Sequence, residues 1–446
     1  MRWFAGVFAA GVLLRLVAVL GYRPALWFND SFDYVQIALK PWPHPIRPDG
    51  YGIFLWLLRP FHSFGLVVVV QHLLGLAVGV MIFSLLRRRG LPPWGAALAA
   101  APVLLDGGLI ELEHLILSDT LFLFLLTASI TLLLWPDRLT WRWAGPAGLL
   151  LSLATLTRTV GLPVVLVVLV LLVFGRTGWR AAVLVAATAL LPLAGYAAWF
   201  HGENGRYAIT ATDGVFLWGR SAAFAECPKI PQDLRDLCPA EEVGHRRASS
   251  SQVWAADSPL GWTYGEAFDP QTNRRAQRFA LAAIRAQPLD YLETVSSDFF
   301  VRTFSWNRTS YPTPVTSRKY RFPTRVEAFP TWPVLGGGTP ATVAGAYDPA
   351  PRTRIVEPFA VIMRGYQAVL TLRGPMLAVI LLLPLHALRR RLVGHPALLP
   401  WLASVTLLAV PPLTVDFDYR YALTAVPLAA LAAGLAYLPR AASTAS

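Results

Sequence analysis

Long apolar stretches recur along the whole chain, at 4–21, 64–86, 93–110, 116–135, 144–158, 160–175, 181–200, 374–388, 396–413 and 421–438. A helix crosses a bilayer with about 20 mostly apolar residues. In hydrocarbon every backbone N–H and C=O must be bonded within the segment, which selects helices over open sheets. The repeated runs therefore predict an all-α polytopic membrane bundle of about ten transmembrane helices. Charged residues are only 15% of the 446 and hydrophobic residues 55%, whereas soluble domains carry about 25% charge. This composition excludes a disordered chain, and two cysteines exclude a disulfide-dense secreted module. The first run has no A-x-A cleavage site, so it reads as a retained helix rather than a signal peptide. The 144–175 stretch reads either as one tilted hairpin or as two spans broken at Arg158–Gly161.

The net charge of +13 is carried in short arginine clusters between apolar runs. That pattern fits membrane topology better than nucleic-acid binding. Arg87, Arg88, Arg89, Arg138, Arg142, Arg176, Arg180, Arg389, Arg390, Arg391 and Arg440 all fall on one side of the predicted spans. By the positive-inside rule that side is cytoplasmic, and an even span count puts both termini there. The loop 22–50 lies on the other side, where Arg23, Lys40 and Arg47 are exceptions to the rule. The segment 201–373 is also outside and reads as a mixed soluble domain between a membrane module at 1–200 and the helices of 374–446. Within it, 273–302 reads as helix, 306–352 as loop, and 356–372 as an interfacial helix. Cys227 and Cys238 lie where disulfides form; a loop-closing bridge is expected, with two unpaired buried thiols as the alternative.

The acids are distributed less evenly than topology requires. Sixteen of the 26 lie in 201–373, and nine of the other ten fall on the outer side: Asp30, Asp33, Asp49, Asp106, Glu111, Glu113, Asp119, Asp416 and Asp418. Carboxylates at a membrane boundary are costly and mark functional sites. They read as the lining of an extracytoplasmic cavity. Asp30 and Asp33 precede apolar residues at helical spacing, so Asp30 is either an N-cap or a general base facing that cavity. Glu111, Glu113, His114 and Asp119 lie at a bend between two spans with no lysine or arginine nearby in sequence. They read as a solvated turn, as substrate-binding groups, or as ligands of a divalent metal, although the spacing matches no metal signature. Arg158 and Arg420 end and begin spans on the same side. They either snorkel or hold a phosphate, which a guanidinium fork matches. Arg15 sits mid-span and is expected to pair with an acid. No nucleotide-binding loop, H-E-x-x-H or G-x-S-x-G is present, so neither ATP nor a nucleotide sugar is expected as the donor.

Four segments, NDSFDY, RPDGYGIFLWLL, LSDTLFLFLLTASITLLL and SLATLTRTVGLPVVLVVLVLL, with RYALTAVPLAALAAGLAY near the end, resemble the C-type membrane glycosyltransferases. The nearest branch is the polyprenyl-phosphate-dependent one that includes protein O-mannosyltransferase and aminoarabinose transferase relatives. The resemblance implies a sugar donor on a polyprenyl phosphate and an acceptor hydroxyl on a glycan, protein or lipid. It also implies an inverting transfer with Asp30 as base. It places Thr157-Arg158 at the lipid phosphate. Asp33, Glu111, Glu113, His114, Asp119 and Arg420 are then expected to contact substrate. Family members often carry Asp-Glu where this chain has Asp30-Ser31, and Ser-Glu where it has Ser118-Asp119. No cofactor is expected, with a divalent metal left open. The rival readings are a transporter or lipid flippase, which would place charges at mid-membrane, and a membrane anchor displaying 201–373.

Overall fold

The computed structural model describes residues 1–175, 178–261, 263, 267–307, 314–390 and 394–438. Arg176, Arg391 and Arg440, used above to orient the chain, lie outside these. The described chain is helical, with one two-stranded antiparallel pairing, Tyr22↔Ile355 and Arg23↔Arg354. The first half builds α1 (Arg2–Gly21), α2 (Ser31–Leu39), α3 (Gly50–Leu58), α4 (Phe64–Arg88), α5 (Pro93–Leu105), α6 (Gly107–His114), α7 (Asp119–Leu134), α8 (Trp141–Thr157), α9 (Gly161–Phe174) and α10 (Trp179–Asn204).

Among the described residues, four helices are long and apolar enough to cross a membrane: α1, α4, α10 and the last helix, Tyr419–Ala436. Two bent pairs raise this to six, α5 with α6 at 49° and Phe359–Val369 with the helix that follows at 56°. The expected run at 93–110 is thus not straight. It breaks at Asp106, whose carboxylate accepts from Leu109 N–H and caps α6. Three further apolar helices, α7, α9 and Leu398–Thr414, are shorter than a full span. The 144–175 stretch is two helices, α8 and α9, separated at 158–160. Large apolar side chains such as Leu13, Leu98, Leu166, Val173 and Leu191 stay exposed on the helix surfaces. An all-round apolar helix with an outward apolar face is what lipid contact requires. The protein is therefore a multi-pass membrane protein.

α8 packs between α7 and α10, and the last helix packs on Leu398–Thr414, α4, α5 and α7. The main core runs through this bundle and takes in α2 of the 22–50 loop, together with Tyr320, Phe322, Val343 and Tyr347. A second core of Val215, Trp218, Phe224, Leu234, Phe268 and Phe279 is joined by Ile46 from the first loop. Cys227 and Cys238 are bonded and close a short loop on this second core. The expected helix at 273–302 is interrupted at Gln287-Pro288, where proline removes an N–H and ends Pro270–Ala286. The expected loop at 306–352 contains a helix, Pro340–Tyr347, started by a Thr339–Thr342 capping box; its residues 308–313 lie outside the described ones.

Candidate active site

The first loop is fixed at both ends before it presents any chemistry. Leu26 runs beside the extended residues after α6 in an isolated parallel bridge: Leu26 N–H donates to His114 O at 3.0 Å, and Ile116 N–H to Leu26 O at 3.1 Å. At the other end, α3 abuts the C-terminus of α8. A Cβ on Gly50 would meet Leu156 O at 2.6 Å and Thr157 N at 2.8 Å, so only glycine permits this approach. Asp30 occupies the N-cap position of α2, yet its side chain makes no cap bond. The capping reading therefore does not account for it.

Asp30 instead takes one guanidinium on each oxygen. Arg47 Nη2 donates to Oδ1 at 2.7 Å and Arg420 Nη2 to Oδ2 at 2.8 Å. Arg47 Nε also donates to Asp33 Oδ2 at 3.3 Å. These groups are not at open surface: Asp30 is 8% exposed, Asp33 3% and Arg420 7%. Burial works against charge on Asp30, but Arg47 and Arg420 outweigh it and hold the carboxyl at about 2. Asp33 has only Arg47, so burial dominates and pushes it up to about 6. One guanidinium thus leaves a carboxyl that can hold a proton near neutrality, and two leave one that cannot.

Arg420 is positioned by its own helix. Asp418 caps the last helix by accepting from Arg420 N–H at 3.2 Å, and Tyr320 O–H donates to the other Asp418 oxygen at 2.6 Å. The Arg420 guanidinium lies 4.7 Å from the Phe28 ring centre and 5.5 Å from that of Tyr421. The Arg158 guanidinium lies 5.4 Å from the same Tyr421 ring and pairs with Asp119. Both arginines are therefore gathered at one end of the bundle around Tyr421. Neither snorkels freely, because Arg420 is buried and Arg158 is tied to a fully buried carboxylate.

The bend at 106–119 differs from its expected reading. Two of its acids, Glu113 and Asp119, do have basic partners, brought from far along the chain. Glu113 accepts from Arg15 at 2.6 and 2.8 Å and contacts His72 Nδ1 at 2.8 Å. His72 Nε2 meets His114 Nδ1 at 3.0 Å, and His114 Nε2 meets Tyr22 O at 2.6 Å. His114 Nε2 donates to that carbonyl, and the contact between the two imidazoles needs one further proton, on either ring. Glu113 and His114 therefore spend their hydrogen bonds inside the bundle, not on the Asp30 cluster, and Arg15 has the acid expected of it. Glu111, two residues earlier, points elsewhere: it is 1% exposed and neither oxygen has a hydrogen-bond partner. Among the described residues no group of three or more His, Cys, Asp or Glu is arranged to hold a metal.

Of the nine acids expected on the outer side, Asp30, Asp33, Asp119 and Asp418 converge on the arginines. Asp106 is a cap, Glu113 faces Arg15, and Asp416 accepts from Ser250 N–H at 2.9 Å. Sequence reasoning missed Arg47, Tyr320 and Tyr421. For Arg47 a signal existed: it is a basic residue in a loop expected on the side where basic residues are depleted, together with two acids.

Residues 63–201, from α4 into α10, match the sequence pattern of the dolichyl-phosphate-mannose-protein mannosyltransferase family. No curated protein sequence matches the chain. Among solved structures, the chain is similar to the apo oligosaccharyltransferase of Archaeoglobus fulgidus, at 13% identity and a TM-score of 0.43, over 98% of this chain and 50% of that one. It is similar also to the archaeal enzyme from that organism in complex with an inhibitory peptide and a dolichol-phosphate, at 13% identity and a TM-score of 0.42, over 97% and 50%. The chain thus spans about half the length of these structures. The matched segment carries the 106–119 bend and Arg158, and over it the resemblance to polyprenyl-phosphate-dependent membrane glycosyltransferases is borne out.

Proposed function

We propose that this protein is an inverting glycosyltransferase that takes a sugar from a polyprenyl phosphate and gives it to an acceptor hydroxyl. The observation that carries the reading is a buried carboxylate, Asp30, held between two arginines with a third across Tyr421. The family matched over 63–201 is consistent with it. In this reading the site lies on the extracytoplasmic side, with both termini cytoplasmic, and the shorter apolar helices complete a bundle of about ten spans.

The chemistry follows from the charges. The donor is a phosphodiester, and its leaving group, a phosphate monoester, gains negative charge as the bond to C1 breaks. Arg420 and Arg158, at the ends of membrane helices where a lipid phosphate would lie, stabilise that growing charge. Asp30 removes the acceptor proton as the hydroxyl oxygen attacks C1 from the face opposite the phosphate. A carboxylate bound by two guanidiniums is a poor base. The donor phosphate is the natural competitor for those guanidiniums. As it draws them away, Asp30 loses the partners that keep it acidic, and its basicity rises when the sugar is in place. Asp33 orients the acceptor or the sugar.

The test is purified protein with radiolabelled polyprenyl-phosphate sugars. Acceptor-dependent release of polyprenyl phosphate is expected. Asp30→Asn should abolish release while donor still binds; full turnover by that variant would remove Asp30 from the role. Sugar transport into vesicles without bond cleavage would establish a flippase instead.

A further inference from the structure

A cleft of about 110 Å³ opens beside the Asp30 cluster, between residues 26–32 of the first loop and 318–330 of the soluble segment. Its walls differ in chemistry. On one side Trp27 and Phe32 stack at 5.2 Å with 1° between ring planes. Phe329 meets both edge-on, at 5.1 and 5.5 Å. This is a stiff apolar surface, and Trp27 and Phe329 remain partly open. Glu111 also lines the cleft, with both carboxyl oxygens buried and unbonded. A buried polar group without a partner is costly in a folded protein and calls for a ligand that supplies one. The rim is cationic: Arg318, Lys319, Arg321 and Arg325 against the single acid Glu327.

We propose that this cleft is the acceptor subsite and that it takes an acidic glycan, a sugar chain bearing carboxylate or phosphate groups. The proposal rests on the transferase reading above and names its acceptor class. The C–H face of a pyranose is apolar and lies flat on aromatic rings. Its hydroxyls satisfy Glu111, and its acidic groups reach the basic rim. An acidic peptide fits less well, because it has no hydroxyl-rich face to offer a buried carboxyl. The lining comes mainly from loop residues outside the long apolar helices, which disfavours a lipid headgroup. The Phe28 ring links the cleft to the Asp30 cluster. Lys319 Nζ donates to Asn29 Oδ1 at 2.5 Å and lies 5.8 Å from the Phe28 ring centre, and Arg420, which holds Asp30, lies 4.7 Å from that same ring.

The test is calorimetric binding of trigalacturonate to the full chain in phosphatidylcholine nanodiscs, without donor. Its methyl ester, hexaglutamate and nanodiscs containing phosphatidylglycerol are the comparison arms. Trigalacturonate should bind about tenfold tighter than its ester, as expected for lost charge-assisted hydrogen bonds. Arg325→Ala should weaken the acid and leave the ester unchanged. Phe329→Ala should weaken both. If Phe329→Ala fails to fold, the exposed Arg325→Ala decides. Absent trigalacturonate binding, equal binding of the ester, or hexaglutamate binding as tightly overturns the proposal. So does loss of trigalacturonate binding to phosphatidylglycerol at equal charge. Because no donor is present, a failed binding test leaves sugar transfer by Asp30 standing, and failed transfer leaves cleft binding standing.

Discussion

Replacing Arg47 by glutamine should raise the pH at which Asp30 takes up a proton, and the size of the rise can be worked from the contacts. Burial pushes the Asp30 carboxyl up; Arg47 and then Arg420 pull it down, to about 2. Arg47 Nη2 sits 2.7 Å from Oδ1. Two unit charges about 4 Å apart at an effective dielectric of about 20 interact by about 4 kcal/mol. At about 1.4 kcal/mol per pKa unit that is about three units. The Arg47 and Asp30 side chains are 16% and 11% exposed, so solvent screens part of it, and a rise of about one to three units is expected. Asp33 shares Arg47 and stands at about 6, so the comparison belongs in an Asp33→Asn background, where its titration is absent. The assay is kcat/KM for sugar transfer, which reports the free enzyme's essential groups, between about pH 4 and pH 7. Asp33→Asn alone should be flat there. Asp33→Asn with Arg47→Gln should lose activity at the acid end. Two flat profiles with turnover retained would refute the electrostatic account of Asp30.

Other consequences are open to direct measurement. Arg15→Gln leaves Glu113 buried without its main partner, so it should cost about 3–5 kcal/mol and lower the unfolding temperature in detergent; a loss below about 1 kcal/mol would show that His72 alone suffices. Asp49 is buried and pushed up to about 8. Its raised folded pKa means the native state keeps a proton the unfolded chain has released, so stability falls as pH rises from about 4 to about 8. The stability gained by Asp49→Asn should therefore grow by about 2–3 kcal/mol between about pH 5 and pH 7; a pH-independent difference would sink this. Gly50→Ala places a methyl against Leu156 and Thr157 backbone. It should cost about 1–3 kcal/mol as overpacking does and reduce transfer by shifting α3 beside Arg158; unchanged unfolding and turnover would show that the contact is slack.

The sequence made the bundle legible because apolar length is a local property. What it could not show is where a run bends: the break at Asp106 depends on a cap and on Leu372 N–H, which donates to the same carboxylate. Asp30, Arg158 and Arg420 were legible because charge at a membrane boundary has to be explained. Arg47 was visible only as a breach of the topology rule. Glu113 and Asp119 misled because their partners lie about a hundred and about forty residues away, at Arg15 and Arg158. Glu111 and Glu113 are two apart on a helix, about 200° around the axis. They cannot share a face, and the structure sends one to the cleft and the other to Arg15. That divergence is readable from the helix once α6 is known to be one.

The pairing of Asp30 with Arg420 joins the first loop to the opening turn of the last helix, 390 positions later. During synthesis the emerging polypeptide inserts most of its helices before Arg420 leaves the ribosome. Until then Asp30 lacks one of its two cations and Tyr421 is missing, so the reactive constellation does not exist. On the transferase reading proposed above, the site is thereby silent while incomplete. On the same reading, any prematurely terminated product lacking that helix would be a membrane protein with no capacity for transfer.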